Sequence, residues 1–539
     1  MAATLLMIVA LVALLIGYLL YGRYVARKLG LDPSRATPAH TKQDGVDYVP
    51  AKAPVLMGHH FASIAGAAPI LGPIYAAVFG WVPVLLWIII GSIFLGGVHD
   101  FSSIVASVRH GGKTIGEVIE DHIGKSGKRL FLVFAWSVVV LVIATFANAV
   151  ANVFVAEPST ATASFLFIIV AVLFGLSVYR LKTSLWLSSI IGVAILLGCI
   201  ALGLRFPMVL PHGTWKVILF VYVFFAAVAP VWILLQPRDY LNSFLLYIIL
   251  ILGVVGIFAA KPEVTFPAFT AFHVEGKGYL FPILFVMVAC GAISGFHSLV
   301  SAGTTAKQLD KETDAKAIGY GSMLIEGLLA VIALITAVTI LQSDYAQKIT
   351  AGGGGPIGIF SAGIGSFVSH LGIPEKAGMT FAALAISAFA LTTLDTATRL
   401  GRFMFQEFFE GMPMQSALSK NRYVGTVMTI GVAAFLTFTE ARGALWPLFG
   451  AANQLLASLT LLAITIWLAK SGKDNRFLKY PMYFMFCVTI TALGFMVYNN
   501  FTSEPRNLTL VVFSLILLAV AITLVANATK SLRNATRTT

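Results

Sequence analysis

At 539 residues, 58% of them hydrophobic and 11% charged, the chain carries less than half the charge of a soluble domain, about 25%, and reads as an all-α polytopic membrane protein. The net charge of +13 is spread over short loops between apolar runs, where Lys and Arg set orientation, so no nucleic acid partner is expected. The three cysteines, Cys199, Cys290 and Cys487, all lie in apolar runs and read as small buried hydrophobes, not disulfides or metal ligands.

Residues 1–22 are apolar, and the basic cluster Arg23, Arg27, Lys28 follows them. A signal peptide carries its positive charge in front, so an uncleaved first helix is expected. Runs of about 20 apolar residues are needed to span a bilayer. Fifteen are found, at 3–22, 55–79, 82–108, 130–155, 161–179, 185–204, 216–236, 241–260, 279–302, 317–341, 377–400, 423–440, 443–469, 480–499 and 508–529. The glycine-rich stretch 353–372 is expected to be a re-entrant or surface segment, and the run Gly352–Gly355 an external loop. With the N-terminus outside, 28 of the 36 Lys and Arg residues fall in alternate loops assigned to the cytoplasm. The C-terminus, with the basic tail 530–539, is then inside. The first 54 residues form one helix and a cytoplasmic loop, and 423–529 the C-terminal spans.

Two spans carry helix breakers. Gly66-Ala67-Ala68-Pro69-Ile70-Leu71-Gly72-Pro73 puts two glycines and two prolines inside the second span. Proline removes a helical hydrogen bond, and irregular backbone at membrane depth survives only in protein or against a wet cavity. The second candidate is Pro230 in 216–236, closed by Gln236-Pro237. The two spans are five apart, so they enter from opposite sides. That is the relation expected of inverted five-helix repeats with paired discontinuous helices, the LeuT-like plan, here 55–204 and 216–400. Gly66, Ala67, Pro69, Gly72, Pro230 and Gln236 are the expected solute-binding residues.

MGHHFASIAGAAPILGPIYAAVFGW, GSIFLGGVHDFSSIVASVRHGGKTIGEV, APVWILLQPRDYLNSF, GAISGFHSLVSAGTTAKQL, LTTLDTATRLGRFMFQE and WPLFGAANQLLA run from Met57 to Ala457. Together they resemble the carbon starvation protein A (CstA) family of bacterial membrane transporters. The resemblance implies an inner-membrane protein tied to growth under carbon limitation, transporting peptides or, with protons, pyruvate. It also implies kinship with the amino acid–polyamine–cation (APC) superfamily, whose core is the inverted five-helix repeat.

Charged groups inside spans are costly and mark function by default. Asp395 is followed at i+4 by Arg399, giving either a proton-responsive carboxylate or a structural pair. Asp100 follows His99; adjacent helical residues point about 100° apart, so the two need not act together. Glu326, flanked by Gly321 and Gly327, reads as interhelical packing. His59 and His60 precede the first break and suit proton coupling; no acidic or Cys partner at helical spacing supports a metal. His297 has Ser294, Ser298 and Ser301 on nearby positions. Ser294 and Ser298, with carbonyls near Ala65 and Gly66, form a candidate cation pocket. Asn453 and Gln454 read as polar packing.

The expected function is a secondary active transporter for a small organic anion or short peptide, coupled to H+ or Na+ through Ala65, Asp100, Ser294, His297, Ser298 and Asp395. No nucleotide-binding loop or other cofactor motif occurs. The competing reading is a solute-binding membrane sensor with a separate signalling partner. An intramembrane enzyme lacks HExxH or GxSxG, and a channel would not accumulate solute.

Overall fold

The computed structural model describes residues 2–350, 354–410, 418–439, 442–502 and 506–537. Of the expected features, residues 351–353 of the glycine run, 411–417 of a cytoplasmic loop and the last two residues of the tail lie outside this set. Among the described residues the chain is helical apart from a hairpin pairing His273–Val274 with Gly278–Tyr279. Among the described residues eleven helices are long and apolar enough to cross a membrane, and the bent pair Ala53–Ile64 and Ala68–Phe79 adds one more. His212–Val228, Gly355–Ser369 and Arg422–Phe438 are shorter apolar helices.

The helices that position the site are α1 (Ala53–Ile64), α2 (Ala68–Ala76), α3 (Gly97–Arg109), α4 (Lys125–Ala156), α5 (His212–Val228), α6 (Leu235–Ala260), α7 (Gly295–Val300), α8 (Ser322–Val338), α9 (Glu375–Phe409) and α10 (Arg442–Lys470). Peripheral helices turn Leu, Ile and Phe outward; on the first helix Leu5, Ile8, Val12 and Leu15 are exposed while Leu6, Met7 and Ala10 are buried. Such a belt is a liability in water and the expected surface of a membrane-spanning bundle.

The loops gather at two ends. At one, Lys28 meets Asp474 at 2.7 Å, Arg109 meets Glu312 at 2.6 Å and Arg402 meets Asp47 at 2.8 Å. At the other, the 262–279 segment receives the turn after α2: Gly80 has φ +102°, and Val82 N–H donates to the Ala268 carbonyl at 3.0 Å. A Cβ on Gly80 would lie 2.7 Å from that carbonyl oxygen, so glycine supplies both the left-handed backbone and the close approach.

Four expectations need correction. Pro230 does not interrupt a span. Ala229 is extended (φ −66°, ψ 151°), as a residue before proline tends to be, and the pair ends α5. Pro237 opens α6 in its first turn, where a missing N–H costs little. Arg238 and Asp239 therefore sit inside a helix, buried, where a loop was expected. Of the two alternatives for 353–372 the surface one is overturned, because the stretch contains a 15-residue helix that is mostly buried; its Gly363 packs on Thr336, and its Ile364 and Phe367 close on Gly253 and Gly256. Cys487 is exposed on the outer face, unlike Cys199 and Cys290.

Candidate functional site

The helix unwinds where GAAPILGP interrupts it. α1 ends at Ala65 (φ −78°, ψ 58°), and α2 leaves at 45° to it. Pro69 stands in the first turn of α2, where it starts a helix instead of breaking one. Gly66 packs on Thr393 and Phe146, and the Thr393 hydroxyl donates to the Ser63 carbonyl at 3.2 Å.

A second unwound stretch, 288–294, separates Leu280–Met287 from α7. It faces the first. A Cβ on Gly72 would lie 2.4 Å from the Met287 carbonyl oxygen and 3.2 Å from Val288 Cα. Between α2 and the second break opens a chamber of about 420 Å³, lined by Ala68, Gly72, Tyr75, Met287, Cys290 and Asn453 among others; of the expected contacts in the first break, Gly72 lines it and Gly66, Ala67 and Pro69 do not. Gly72→Ala is expected to insert normally, to destabilise by about 1–3 kcal/mol through overpacking and to lose transport. Gly198→Ala, whose Cβ would meet nothing within 4 Å, is expected to match the parent. Melting of the purified proteins and uptake in vesicles check both.

Beside the second break lies a buried acid–imidazole cluster. His297 Nδ1 is 2.9 Å from Asp100 Oδ2, and His99 Nδ1 is 2.8 Å from Asp100 Oδ1. Glu326 Oε2 lies 3.5 Å from His297 Nε2, and neither Glu326 oxygen has a hydrogen-bond partner among the described residues. All four side chains are fully buried. They come from α3, α7 and α8, so Asp100 and His297, expected separately, meet here. His99 and Asp100 do contact each other despite their helical offset. An imidazole between two carboxylates in a dry site can hold a proton and pass it on.

Below the first break lies a second network. His59 Nδ1 is 2.7 Å from Asp239 Oδ2, Arg238 donates to Asp239 at 2.8 Å and bridges to Asp395, and the Tyr222 hydroxyl donates to Asp395 at 2.5 Å. Asp395 thus pairs with Arg238, not with Arg399. The i+4 spacing puts Arg399 nearer the helix end, where it donates to Asp47 at 2.6 Å and to the Ala226 carbonyl at 2.8 Å. Gln236 does not line the chamber; it bonds Gln308 and accepts from Tyr179 at 2.8 Å.

The two serines of the expected cation pocket are engaged with α10. The Ser294 hydroxyl accepts from Asn453 at 3.1 Å. The Ser298 hydroxyl donates to the Gly295 carbonyl at 2.7 Å and lies 2.9 Å from Thr460. Both thus bond to side chains of α10. Among the described residues no group of three His, Cys, Asp or Glu side chains is placed to hold a metal.

Asp47 was not singled out in the sequence. It bridges Arg399 and Arg402. Burial pushes its carboxyl up, but Arg402, Arg399 and Lys307 outweigh this and hold it at about 2. Its stabilising contribution is complete above its ordinary value of 3.8 and is lost only as pH falls through about 2. The contact is therefore ionic at any physiological pH.

The family model described as carbon starvation protein CstA matches residues 2–352 and 345–492. The peptide transporter CstA of Bacillus subtilis (strain 168) is 33% identical, over 94% of this chain and 92% of its own length. The peptide transporter CstA of Escherichia coli (strain K12) is 34% identical, over 86% of this chain and 76% of its own. The pyruvate/proton symporter BtsT of the same organism is 31% identical, over 90% and 80%. Among solved structures, a manganese transporter of Eremococcus coleocola superposes with a TM-score of 0.54 at 13% identity, over 92% of this chain and 99% of that one; this similarity is one of fold.

Proposed function

We propose that this chain, which belongs to the carbon starvation protein CstA family, is a proton-coupled secondary transporter that carries a small carboxylate-bearing solute into the cell by alternating access. Its relatives are named as transporters, and the sensor reading finds no support among them. The observation that carries the coupling is His297 held between Asp100 and Glu326, next to an unwound segment. Protons are favoured over sodium because the serine hydroxyls that would make a cation pocket bond to α10.

The solute would bind against Ala68 and Gly72 on one side and Met287, Ala289 and Cys290 on the other, and would meet Gly66, Ala67 and Pro69 as it moves past the first break. A chamber of about 420 Å³ lies in the ordinary range for small ligands, about 300–1,000 Å³. It admits pyruvate, the solute in BtsT's name, or a short peptide, the solute in CstA's. Exposed N–H groups where a half-helix starts favour a carboxylate.

The breaks at 65–67 and 288–294 suggest repeats different from 55–204 and 216–400. One would run 53–260 and the other 280–470, with the 158–205 hairpin and the 342–369 segment inserted. Equivalent helices then pack together: Trp81–Arg109 with Glu312–Val338, and α4 with α9. Likewise α6 packs on α1 as α10 packs on α7. The same order supports fifteen crossings, with the N-terminus outside, the C-terminus inside, and the Lys- and Arg-rich loops on the cytoplasmic face of the inner membrane.

Uptake into proteoliposomes tests the reading. Labelled pyruvate and labelled di- and tripeptides are offered under an imposed pH gradient, a sodium gradient or neither. Accumulation above the external concentration under the pH gradient alone is expected for one of the two solutes. Simple equilibration of both, or accumulation driven only by sodium, would overturn it.

A further inference from the structure

We propose that Arg399, Arg402 and Lys307 form a carboxylate-binding site at the cytoplasmic mouth, which Asp47 occupies in this state and which the solute's carboxylate takes over on its way out. The inference rests on the transport reading for its purpose, but the site stands on its own geometry. Asp47 Oδ1 accepts from Arg399 at 2.6 Å, and its two oxygens accept from Arg402 Nη2 at 2.9 and 2.8 Å. Both guanidinium groups are essentially buried, and the Nε of each has no partner among the described residues. Lys307, also buried, lies 3.3 Å from the Phe403 ring centroid, with no carboxylate within ion-pair distance among the described residues. The nearby Glu407 is already engaged by the Thr114 hydroxyl and amide. Two buried guanidinium groups thus converge on one bridging carboxylate, and the third buried cation, Lys307, shares with Asp47 the lining of a cavity of about 360 Å³, together with Tyr48, Phe403 and Gln406.

The guanidinium fork is the side chain best matched to a carboxylate. Asp47 reaches it from a loop shaped in advance. Asp44 accepts from the amides of Val46, Asp47 and Tyr48 at 2.8, 2.9 and 2.9 Å, and Val231 N–H donates to the Val46 carbonyl at 2.9 Å. Asp395, Arg399 and Arg402 follow one another along α9, so the site adjoins the network below the first break. Asp47 is a tethered carboxylate that a free one must displace.

Equilibrium binding of labelled acetate and pyruvate to the purified full chain tests this, with methyl pyruvate as the uncharged control. If Asp47 leaves the site free about a tenth of the time, removing it strengthens binding about tenfold. Asp47→Asn is therefore expected to bind both acids about tenfold more tightly, with no gain for methyl pyruvate. Adding Arg402→Gln should cancel that gain. Equal affinities for parent and Asp47→Asn, or an equal gain for methyl pyruvate, would overturn the proposal. Should Asp47→Asn fail to fold, hydrogen exchange on the parent decides: acetate and pyruvate, but not methyl pyruvate, should speed exchange of the 44–49 amides, and no change would overturn it. Acetate binding does not depend on transport, so loss of the site and loss of the transport reading give separate results.

Discussion

Vesicles carrying His297→Gln are expected to equilibrate the solute and no longer accumulate it under a pH gradient. Each pH unit is worth about 1.4 kcal/mol, a tenfold accumulation for one proton per solute, so a two-unit gradient should separate parent from variant by about a hundredfold. Glutamine keeps an N–H that can reach Asp100, and His99 still satisfies the other Asp100 oxygen at 2.8 Å, so the fold should survive. What disappears is the group that titrates between Asp100 and Glu326. Exchange of labelled for unlabelled solute across the membrane, which needs no net proton movement, should persist. Persistence of exchange with loss of accumulation separates a coupling defect from a folding defect.

Arg238→Met is expected to have the largest effect on stability. Arg238 is buried against Asp239 and Asp395, and removing it leaves two carboxylates in a dry interior. Removing one partner of a buried pair costs about 3–5 kcal/mol. Replacing a buried pair by apolar groups costs far less, so Arg238→Met combined with Asp395→Leu, which leaves Asp239 its His59 partner at 2.7 Å, should regain much of the loss while transport stays impaired. The thermal midpoint of the detergent-purified protein reads the first effect. The double variant tests whether the cost lies in uncompensated charge; a double variant no more stable than the single would show that it does not.

The sequence made the first break plain, because two glycines and two prolines in eight residues admit no continuous helix. The second break was not legible, and 279–302 read as one span. The stretch 288–294 contains no proline and a single glycine, Gly291, and small residues beside Ser294 and Ser298 are equally compatible with tight helix packing. Pro230 was the louder signal, yet proline ends and starts helices as readily as it breaks them, and only the extended Ala229 and the first turn at Leu235 decide which.

Pairings were harder to foresee than positions. Asp395, Asp100 and His297 stand out in any reading of charge within apolar runs. Which of them meet is a tertiary matter: Arg399 is the local partner offered to Asp395, but Arg238 from α6 takes that place. Glu326 looked like helix glue between glycines, and the closeness of those helices is what brings it to His297. Asp47 lay in a polar loop of about 30 residues with nothing to mark it; its role depends on two arginines more than 350 positions away.

The measurement closest to the central claim is solute-driven proton entry. Proteoliposomes holding a trapped pH-sensitive dye, with no gradient imposed, receive pyruvate or a dipeptide from outside. For the parent chain the interior is predicted to acidify as the solute enters, with the signal abolished by a proton carrier and absent in His297→Gln. Solute entry through the parent with no acidification, or acidification undiminished in His297→Gln, would contradict proton coupling through the Asp100–His297–Glu326 cluster.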